Sequence, residues 1–571
     1  MFPTPDLKAN PALSRSRRGF LRQSAAACAS TAALVAGFPQ TALAQALAGA
    51  TALPVDSAAR WLRFTTFAPL DSEILDVATR GYGAWLETQM LLPQSRSVAD
   101  WVRLKGPPGF EDPNQSPHHD TRIQAIDWKC VYAADPLRQR VTYALSNLFV
   151  ISEAGTDRAV VPEAYSAFWD LLNRNAFGNF RTLIEDVTYS LDMGFYLTYL
   201  NSRKADAATG RQPDENYARE LMQLFTIGLW ELNEDGSRKL DGSGQPIPTY
   251  QQTDIVQLAR VFTGLYPNGN LRNGGRATRF GDASPGAFTA ETWGRRMAID
   301  ASQHAPEAVR ALGGRVNIAA GTSGANAIRA TLDALFQHPT CPPFVALNLI
   351  RRLTCSNPSP GYVSRVSRAF VNNGSGVRGD MKAVLRAIFL DPDLLTPGTP
   401  NFGMLVPRYV YTMGAVRRLG SFDSLGTQRP INPWLHKTLG SQRPFTAPTV
   451  FNFNKPDYAT PELKALGLVG AELENYDEDG ATTVFNGLGQ LTRNATLTPY
   501  LSAKLASSAN DAELLDELSR RLSGRVLPSG ERNALLGAIR GYPRTQTGWQ
   551  RNVLSAMLWT ILIHPQNMVL S

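Results

Sequence analysis

The sequence contains little cysteine and little histidine, and no motif that commonly binds a metal. Four cysteines and six histidines occur in 571 residues, and none of them forms a Cys-x-x-Cys, a His-Glu-x-x-His or another clustered ligand pattern. No disulfide framework is implied, and a recognisable zinc site is absent. Cys341 and Cys355 flank a predicted helix of roughly 20 Å, so we expect that they are not bonded to each other.

A strong excess of positive charge is also missing once the first residues are set apart. The formal net charge is +8 at pH 7, but residues 1–44 supply half of it through five basic residues against one acidic residue. The remaining basic and acidic residues nearly balance. Nucleic-acid binding requires clustered Lys and Arg, so nucleic acid is not an expected partner.

Long apolar runs are lacking as well. The last apolar segment, Asn552–Ile563, is only about a dozen residues long, whereas a bilayer requires about 20. The composition, 43% hydrophobic and 19% charged, is typical of a soluble globular protein with a sizeable core. We therefore expect a soluble protein without a transmembrane anchor.

The N-terminus resembles a twin-arginine signal peptide. Arg17 and Arg18 precede a weakly apolar stretch at residues 24–38, and Ala42-Leu43-Ala44 provides a small-x-small cleavage site. The alternative is an ordinary Sec signal with a chance arginine pair. The twin-arginine machinery exports folded proteins, often with a cofactor inserted beforehand, but the sequence names no cofactor. Cleavage near Ala44 predicts a periplasmic or extracellular protein.

Apolar residues recur at three- and four-residue steps along nearly all of the remaining chain, which predicts helices. The fold class expected is mostly α, a large multi-helix, bundle-like array. Asn-Glu-Asp-Gly and Asp-Gly-Ser-Gly turns predict a small β-hairpin insertion near residues 229–250. Residues 45–571 are interpreted as one large helical domain. The alternative is a division near residue 265 into two lobes, about 55–265 and 266–571.

One predicted helix, in PDENYARELMQLFTIG at residues 213–228, carries an unusual polar face. Its apolar side chains fall on one side of a helical wheel and face the core. Glu215 and Arg219 have the spacing of an ordinary i, i+4 ion pair. The remaining polar residues include amides and no lysine, although lysine is common on solvated helix faces. We therefore favour a buried or cleft-lining polar face over a free surface, with the solvated face as the alternative.

Several blocks resemble a large family of exported bacterial proteins catalogued as domain of unknown function eighteen hundred. These blocks are PDENYARELMQLFTIGL, TYQQTDIVQLARVFTG, DPLRQRVTYALSNLFVIS, NAFGNFRTLIEDVTYSLDMGFYL and APTVFNFNKPDY. The resemblance extends from about Ala58 to the C-terminus. It implies a mostly helical exported protein, often encoded beside a sulfatase-like exported family that is a plausible partner, and it implies no reaction.

The candidate functional residues are carboxylates and arginines that alternate on predicted helices. Two carboxylates in one cleft can divide the acid and base roles of a hydrolase acting on an envelope or extracellular polymer. The same residues also suit a structural ion network or, less well, a metal site, because the Glu-x-x-His pairs of di-iron bundles are missing. The catalytic candidates are Glu215, Arg219, Glu220 and Asp254, and the binding candidates are Asn216, Arg138, Arg181, Glu185, Asp186 and Arg260.

Overall fold

The structure is a computed structural model of the whole chain. It describes residues 53–104, 106, 119–154, 161, 163–271, 276–277, 288–396, 398–420, 442–475, 478–493, 499–523 and 525–571. The predicted signal peptide lies outside these residues. Within them the fold is mostly helical, as expected from the periodicity of the sequence.

The N-terminal part of the described chain is almost entirely helical. The continuous helix that the sequence pattern predicts for residues 74–91 is interrupted at Gly81, whose φ of +85° is easily adopted only by glycine. The helices are α1 Val55–Thr65, α2 Asp71–Arg80, α3 Tyr82–Leu91, α4 Val98–Arg103, α5 His119–Tyr132, α6 Pro136–Ser146, α7 Glu163–Asn175, α8 Phe180–Thr188 and α9 Leu191–Tyr196.

The middle of the chain combines helices with short strands. Two of the helices begin after side chains that cap them: Ser359 Oγ accepts the N–H of Tyr362, and Asp380 accepts the N–H of Lys382. The helices are α10 Asn216–Glu220, α11 Gln252–Ala259, α12 Ala290–Gly294, α13 Gly324–Gln337, α14 Cys341–Leu353, α15 Pro360–Val371, α16 Met381–Phe389, α17 Pro392–Leu395 and α18 Arg408–Gly420.

The C-terminal part is again helical and packs its helices mainly against one another. Its most apolar helix, Trp549–Ile563, lies against Glu478–Arg493 and follows Gly548, which has a left-handed backbone conformation. No helix among the described residues combines the length and the apolar character that a bilayer span requires. The helices are α19 Pro461–Ala465, α20 Glu478–Arg493, α21 Pro499–Leu505, α22 Asp511–Ser523, α23 Ser529–Arg540, α24 Trp549–Ile563 and α25 Pro565–Met568.

Within the described residues the strands are short, and each pairs with one antiparallel partner. β1 pairs with β4, β2 with β3, β5 with β6, and β7 with β8. The last pair joins the extreme C-terminal residues to the chain ahead of α18. The strands are β1 Leu265–Tyr266, β2 Gly269–Asn270, β3 Arg276–Ala277, β4 Ala298–Ile299, β5 Val309–Ala311, β6 Val316–Ile318, β7 Met404–Leu405 and β8 Val569–Leu570.

The predicted hairpin insertion is present between residues 229 and 250, in the form of two consecutive hairpins. Their three arms form a ring of backbone bonds, in which Glu231 donates to Ile247, Ile247 to Lys239, and Lys239 to Glu231. The two turns fall at the Asp-Gly positions that predicted them, 233–237 and 241–245. The insertion is therefore a compact β element on a helical body.

The core is one contiguous cluster of buried apolar side chains that extends from Ala58 to Leu570. Trp61 on α1 is buried and donates its indole N–H to the Phe389 carbonyl at 2.7 Å. The neighbouring Arg60 donates to the Ser571 carbonyl at 2.7 Å. The first helix thus contacts both the middle and the end of the chain, and the division into two lobes stays a prediction.

Candidate functional site

The polar helix of the sequence pattern begins as expected but changes its geometry halfway. Asp214 accepts the Asn216 N–H at 2.9 Å at the start of α10. After Glu220 the helix widens into a π-helical turn, Leu221–Thr226, and Gly228 ends it with φ +72°. Such π segments are rare and occur frequently at functional sites. The sequence pattern alone predicted a regular α-helix here.

The first half of the polar face lies at the surface and bonds to the next helix. Glu215 accepts from Arg219 at 3.1 Å and from Gln252 of α11 at 2.9 Å, and both charged side chains are more than a third exposed. Asn216 donates to the Thr198 hydroxyl at 2.8 Å. Exposed pairs of this kind contribute at most about 1 kcal/mol, so this part of the face resembles the solvated alternative.

The second half of the face is turned inward. Glu220 is 9% exposed, and its Oε2 has no hydrogen-bond partner within the described part of the chain. Burial raises the pKa of this carboxyl, and Arg219 only partly counteracts that effect. Tyr250 lies nearby and donates to Gln223 at 2.8 Å; burial and then Glu220 raise its pKa to about 12. The polar face is therefore divided between solvent and interior.

Asp254 and Arg260 lie on the neighbouring chain segment, where Asp254 holds backbone in place. Asp254 accepts the Gln251 N–H at 2.7 Å, which caps α11, and the Leu312 N–H at 2.7 Å. Both carboxylate oxygens are thus engaged in structural bonds. Arg260 opens the 3-10 turn Arg260–Phe262 that follows α11.

The candidates on α8 belong to a separate ion network. Arg181 donates to Glu185 at 2.7 Å and to Asp333 of α13 at 2.6 Å. Arg296 bonds Glu185 at 2.9 Å and also pairs with Asp186. The network connects α8 to α13 and to the chain before β4, which is the structural interpretation that the sequence left open.

Arg138 lies apart from both groups. Its guanidinium is 3.5 Å from Asp135, donates to the Asn173 and Leu92 carbonyls, and stacks over the Phe177 ring at 4.3 Å. This residue ties three segments of the N-terminal part together. The ten predicted site residues therefore do not form one site, and a catalytic or binding role for them stays a prediction.

A cavity elsewhere in the molecule brings together a different set of polar side chains. It has a volume of about 690 Å³, including its open mouth. We call it the Glu472 cavity. It lies between the end of α6, the end of α14, the start of α18 and the loops around α19, and it is lined by Tyr143, Asn147, Arg351, Arg352, Ser356, Pro407, Gln442, Phe451, Asn452, Phe453, Asn454, Pro456, Val469, Ala471 and Glu472.

The ionisable groups of the Glu472 cavity are strongly affected by burial. Burial raises the pKa of Glu472 to about 7, and the positive charges of Arg352 and Arg140 only partly oppose this shift. Burial lowers the pKa of Arg352 to about 10, and an arginine at that value stays charged near neutral pH. A carboxyl group that exchanges its proton near pH 7 in a concave site is typical of functional sites.

The loop that forms one wall is held in an unusual backbone conformation. Asn452 has φ +67°, a region that asparagine adopts more readily than most residues. Asn475 donates to the Phe453 carbonyl and to the Asn454 side chain. The neighbouring Phe451 ring is 38% exposed. Amide groups and aromatic rings are thereby presented to the cavity.

The sequence contained one signal for this cavity. Residues 451–454 belong to APTVFNFNKPDY, which carried the family resemblance and in which phenylalanine and asparagine alternate between two prolines. Asparagines between aromatic residues in such a segment indicate a loop that presents side chains rather than an element that packs. The other lining residues come from distant segments, which a single sequence cannot bring together.

In the described part of the chain, no group of three His, Cys, Asp or Glu side chains is close enough to hold a metal ion. The three described cysteines, Cys130, Cys341 and Cys355, are free and buried. The helix predicted between the last two is α14, so they lie at opposite ends of it.

Fold and site together define a mostly helical protein with a polar cavity between its helices and loops. No curated protein and no solved structure matches the chain. A family profile matches residues 60–569, described as protein of unknown function, DUF1800. The chain belongs to this family, which the sequence resemblance had predicted over nearly the same range.

Proposed function

We propose that the Glu472 cavity binds a polar, hydroxyl-bearing ligand, a fragment of an envelope or extracellular polymer. The supporting observation is the convergence in one concave site of four amide side chains, exposed aromatic rings, arginines and a carboxyl whose pKa is about 7. Amides donate and accept at once, as sugar hydroxyls require. Aromatic rings supply apolar contact area for the faces of a sugar.

Asn452 provides a selective test of this proposal. Glycine adopts positive φ without strain, so Asn452→Gly removes the amide and keeps the backbone. We expect a roughly tenfold loss of affinity for envelope oligosaccharides, the effect of about one hydrogen bond. Binding is measured by saturation-transfer NMR and by calorimetry on the mature chain.

Asn401→Gly is the matched control. Asn401 also has positive φ, 58°, but is exposed outside the cavity, so the same substitution there should leave affinity unchanged. Equal affinities for the wild type and both variants would refute the assignment of the cavity.

A hydrolase acting on the same polymer is the alternative function. The raised pKa of Glu472 favours it, because a general acid must hold its proton near neutral pH. Glu472 is the one carboxyl group that lines the cavity among the described residues, whereas the predicted mechanism uses two. Following the oligosaccharides over time in the binding assay separates the two functions, since only hydrolysis generates shorter products.

We further propose that the protein is exported in folded form and acts in the periplasm or outside the cell, together with a co-exported sulfatase-like partner. The arginine pair and the cleavage site support export, and the family resemblance supports the partner. We expect Arg17→Lys with Arg18→Lys to leave the uncleaved precursor in the cytoplasm, measured by fractionation and immunoblotting.

The control for export is Arg22→Lys, which changes a nearby arginine outside the pair and should not affect export. Normal export of the double variant would indicate the Sec route instead. Native purification of the exported wild type from the envelope tests the partner in the same experiment.

A further inference from the structure

We infer that the ligand of the Glu472 cavity carries an oxyanion, the carboxylate or sulfate group of an acidic sugar, and that the cavity arginines bind it. This inference rests on the proposed function, because it assumes that the cavity binds a polar ligand. The inference specifies in addition that the ligand is negatively charged and that the protein takes up a proton when the ligand binds.

The first argument is an excess of positive charge at two half-buried arginines that line the cavity. Arg351 donates to the Ser356 carbonyl at 3.1 Å, and Arg352 donates to the Asn348 carbonyl at 3.0 Å and to its side-chain oxygen at 2.6 Å. These acceptors are neutral. Over the described residues, neither guanidinium has a carboxylate oxygen within 4.0 Å. The charges that line the cavity are therefore not neutralised by direct pairing.

The second argument is Arg140, which lies behind the lining residue Arg352. Its side chain is fully buried, and it donates one N–H to the Arg352 carbonyl at 3.0 Å. Its Nε and Nη1 have no hydrogen-bond partner among the residues that the structure describes. A buried cation without a counter-ion is costly, and a bound anion nearby would offset that cost.

Glu472 supplies only part of the missing negative charge at neutral pH. Because its pKa is raised to about 7, half of this carboxyl is protonated there. An anion beside ionised Glu472 is repelled, whereas an anion beside its protonated form meets only the arginines. Binding of the oxyanion and protonation of Glu472 therefore favour each other.

The other charged groups around Glu472 do not change the coupling between oxyanion binding and protonation of Glu472 between pH 6 and pH 8. Arg140 and Tyr143 face it from α6 and Arg352 faces it from α14, whose neighbouring Arg351 also lines the cavity. Tyr143 has its pKa raised to about 12 and stays neutral. The adjoining loops carry further charges at Lys455, Asp457 and Glu474, of which Lys455 and Glu474 pair with each other.

The remaining lining favours an acidic sugar over a bare ion. Phe451 is partly exposed, and the amides of Asn452 and Asn454 lie on the same wall. These groups suit the hydroxyls and faces of a sugar ring but add little to the binding of a small inorganic anion. The arginines then select for the acidic substituent of the ring.

The test is calorimetric titration of the mature chain with glucose, glucuronate, glucose 6-sulfate and inorganic sulfate at pH 6, 7 and 8. The charged probes stay ionised throughout, so only the protein titrates. We expect both acidic sugars to bind at least about tenfold more tightly than glucose and than inorganic sulfate. A group with a pKa of about 7 changes from mostly protonated to mostly ionised over this range, so their affinity should fall about tenfold from pH 6 to pH 8.

Glu472→Gln is the decisive variant because it is expected to gain affinity, which misfolding cannot produce. Its affinity for the acidic sugars at pH 8 should equal that of the wild type at pH 6, with no further dependence on pH. Glu474→Gln is the matched control, since Glu474 lies two residues away but pairs with Lys455 outside the cavity lining. It should retain the pH dependence of the wild type.

The outcomes separate this inference from the proposed function. Equal binding of glucose and the acidic sugars overturns the oxyanion inference and leaves the proposed function intact. Tight binding of the acidic sugars without any pH dependence overturns the role of Glu472 and hence the inference. Binding of none of the sugars at millimolar concentration overturns both. The ratio between glucuronate and glucose 6-sulfate identifies which oxyanion the cavity prefers.

Discussion

Replacing Glu153 with glutamine is expected to lower the free energy of unfolding by about 3–5 kcal/mol, the cost of removing one partner from a buried ion cluster. Glu153 pairs with both Arg122 and Arg443. The side chains of Arg122 and Glu153 are 2% and 8% exposed. Neutral glutamine leaves both arginines in the interior without their shared counter-charge, and urea unfolding at pH 7 measures the loss.

The matched control for Glu153 is Glu234→Gln. Glu234 also pairs with an arginine, Arg368, but these side chains are 50% and 69% exposed. Solvent screens this pair, so its loss should cost less than about 1 kcal/mol. Similar losses in the two variants would contradict the assignment of Glu153 to a buried cluster.

Replacing Gly264 with alanine is expected to destabilise the fold by about 2–5 kcal/mol, which combines the cost of a Cβ in the left-handed region with that of steric overpacking. Gly264 has φ +84°, and an added Cβ would lie 2.7 Å from the Asp300 carbonyl oxygen. Because that oxygen is a backbone atom, it cannot move aside as the end of a flexible side chain could. The Asp300 N–H donates back to the Gly264 carbonyl at 2.8 Å, so the two segments cannot separate without losing this bond.

Gly314→Ala serves as the control that isolates the steric contribution. Gly314 has nearly the same φ, +87°, but an added Cβ would meet no atom within 4 Å. Its substitution should cost only about 1–2 kcal/mol. Thermal and urea unfolding of both variants give the comparison, and equal costs would mean that the contact with Asp300 relaxes freely.

The helices were predictable because their apolar residues recur with the period of the helix. Helices α6 and α11 lie within DPLRQRVTYALSNLFVIS and TYQQTDIVQLARVFTG, two blocks with this period, and Asp214 accepts the Asn216 N–H where α10 begins. The interruption at Gly81 and the π-helical turn after Glu220 were not predicted. A helix period does not show where the backbone changes its hydrogen-bond spacing, since that depends on how Phe225 and its neighbours pack in the core.

The candidate site was less accessible to sequence reasoning than the fold. The residue types in the polar helix predicted a buried or cleft-lining face, but only Glu220 among its carboxylates is buried without a complete set of partners within the described chain. The Glu472 cavity is lined by residues that are far apart in the sequence. Tyr143 lies on α6, Arg352 on α14, and Asn452 in a loop. No periodic pattern links such positions, and the carboxyl of Glu472 acquires its altered pKa only through burial.

The segment that forms the cavity wall begins at the Glu153 cluster. Arg443 pairs with Glu153, the Glu153 N–H donates to the Phe445 carbonyl at 2.9 Å, and Phe445 itself has a left-handed φ of +69°. Only a few residues farther on, the same segment reaches Asn452 in the cavity. The amides that line the cavity are thus anchored in the interior of the protein by the same ion cluster that is expected to stabilise the fold.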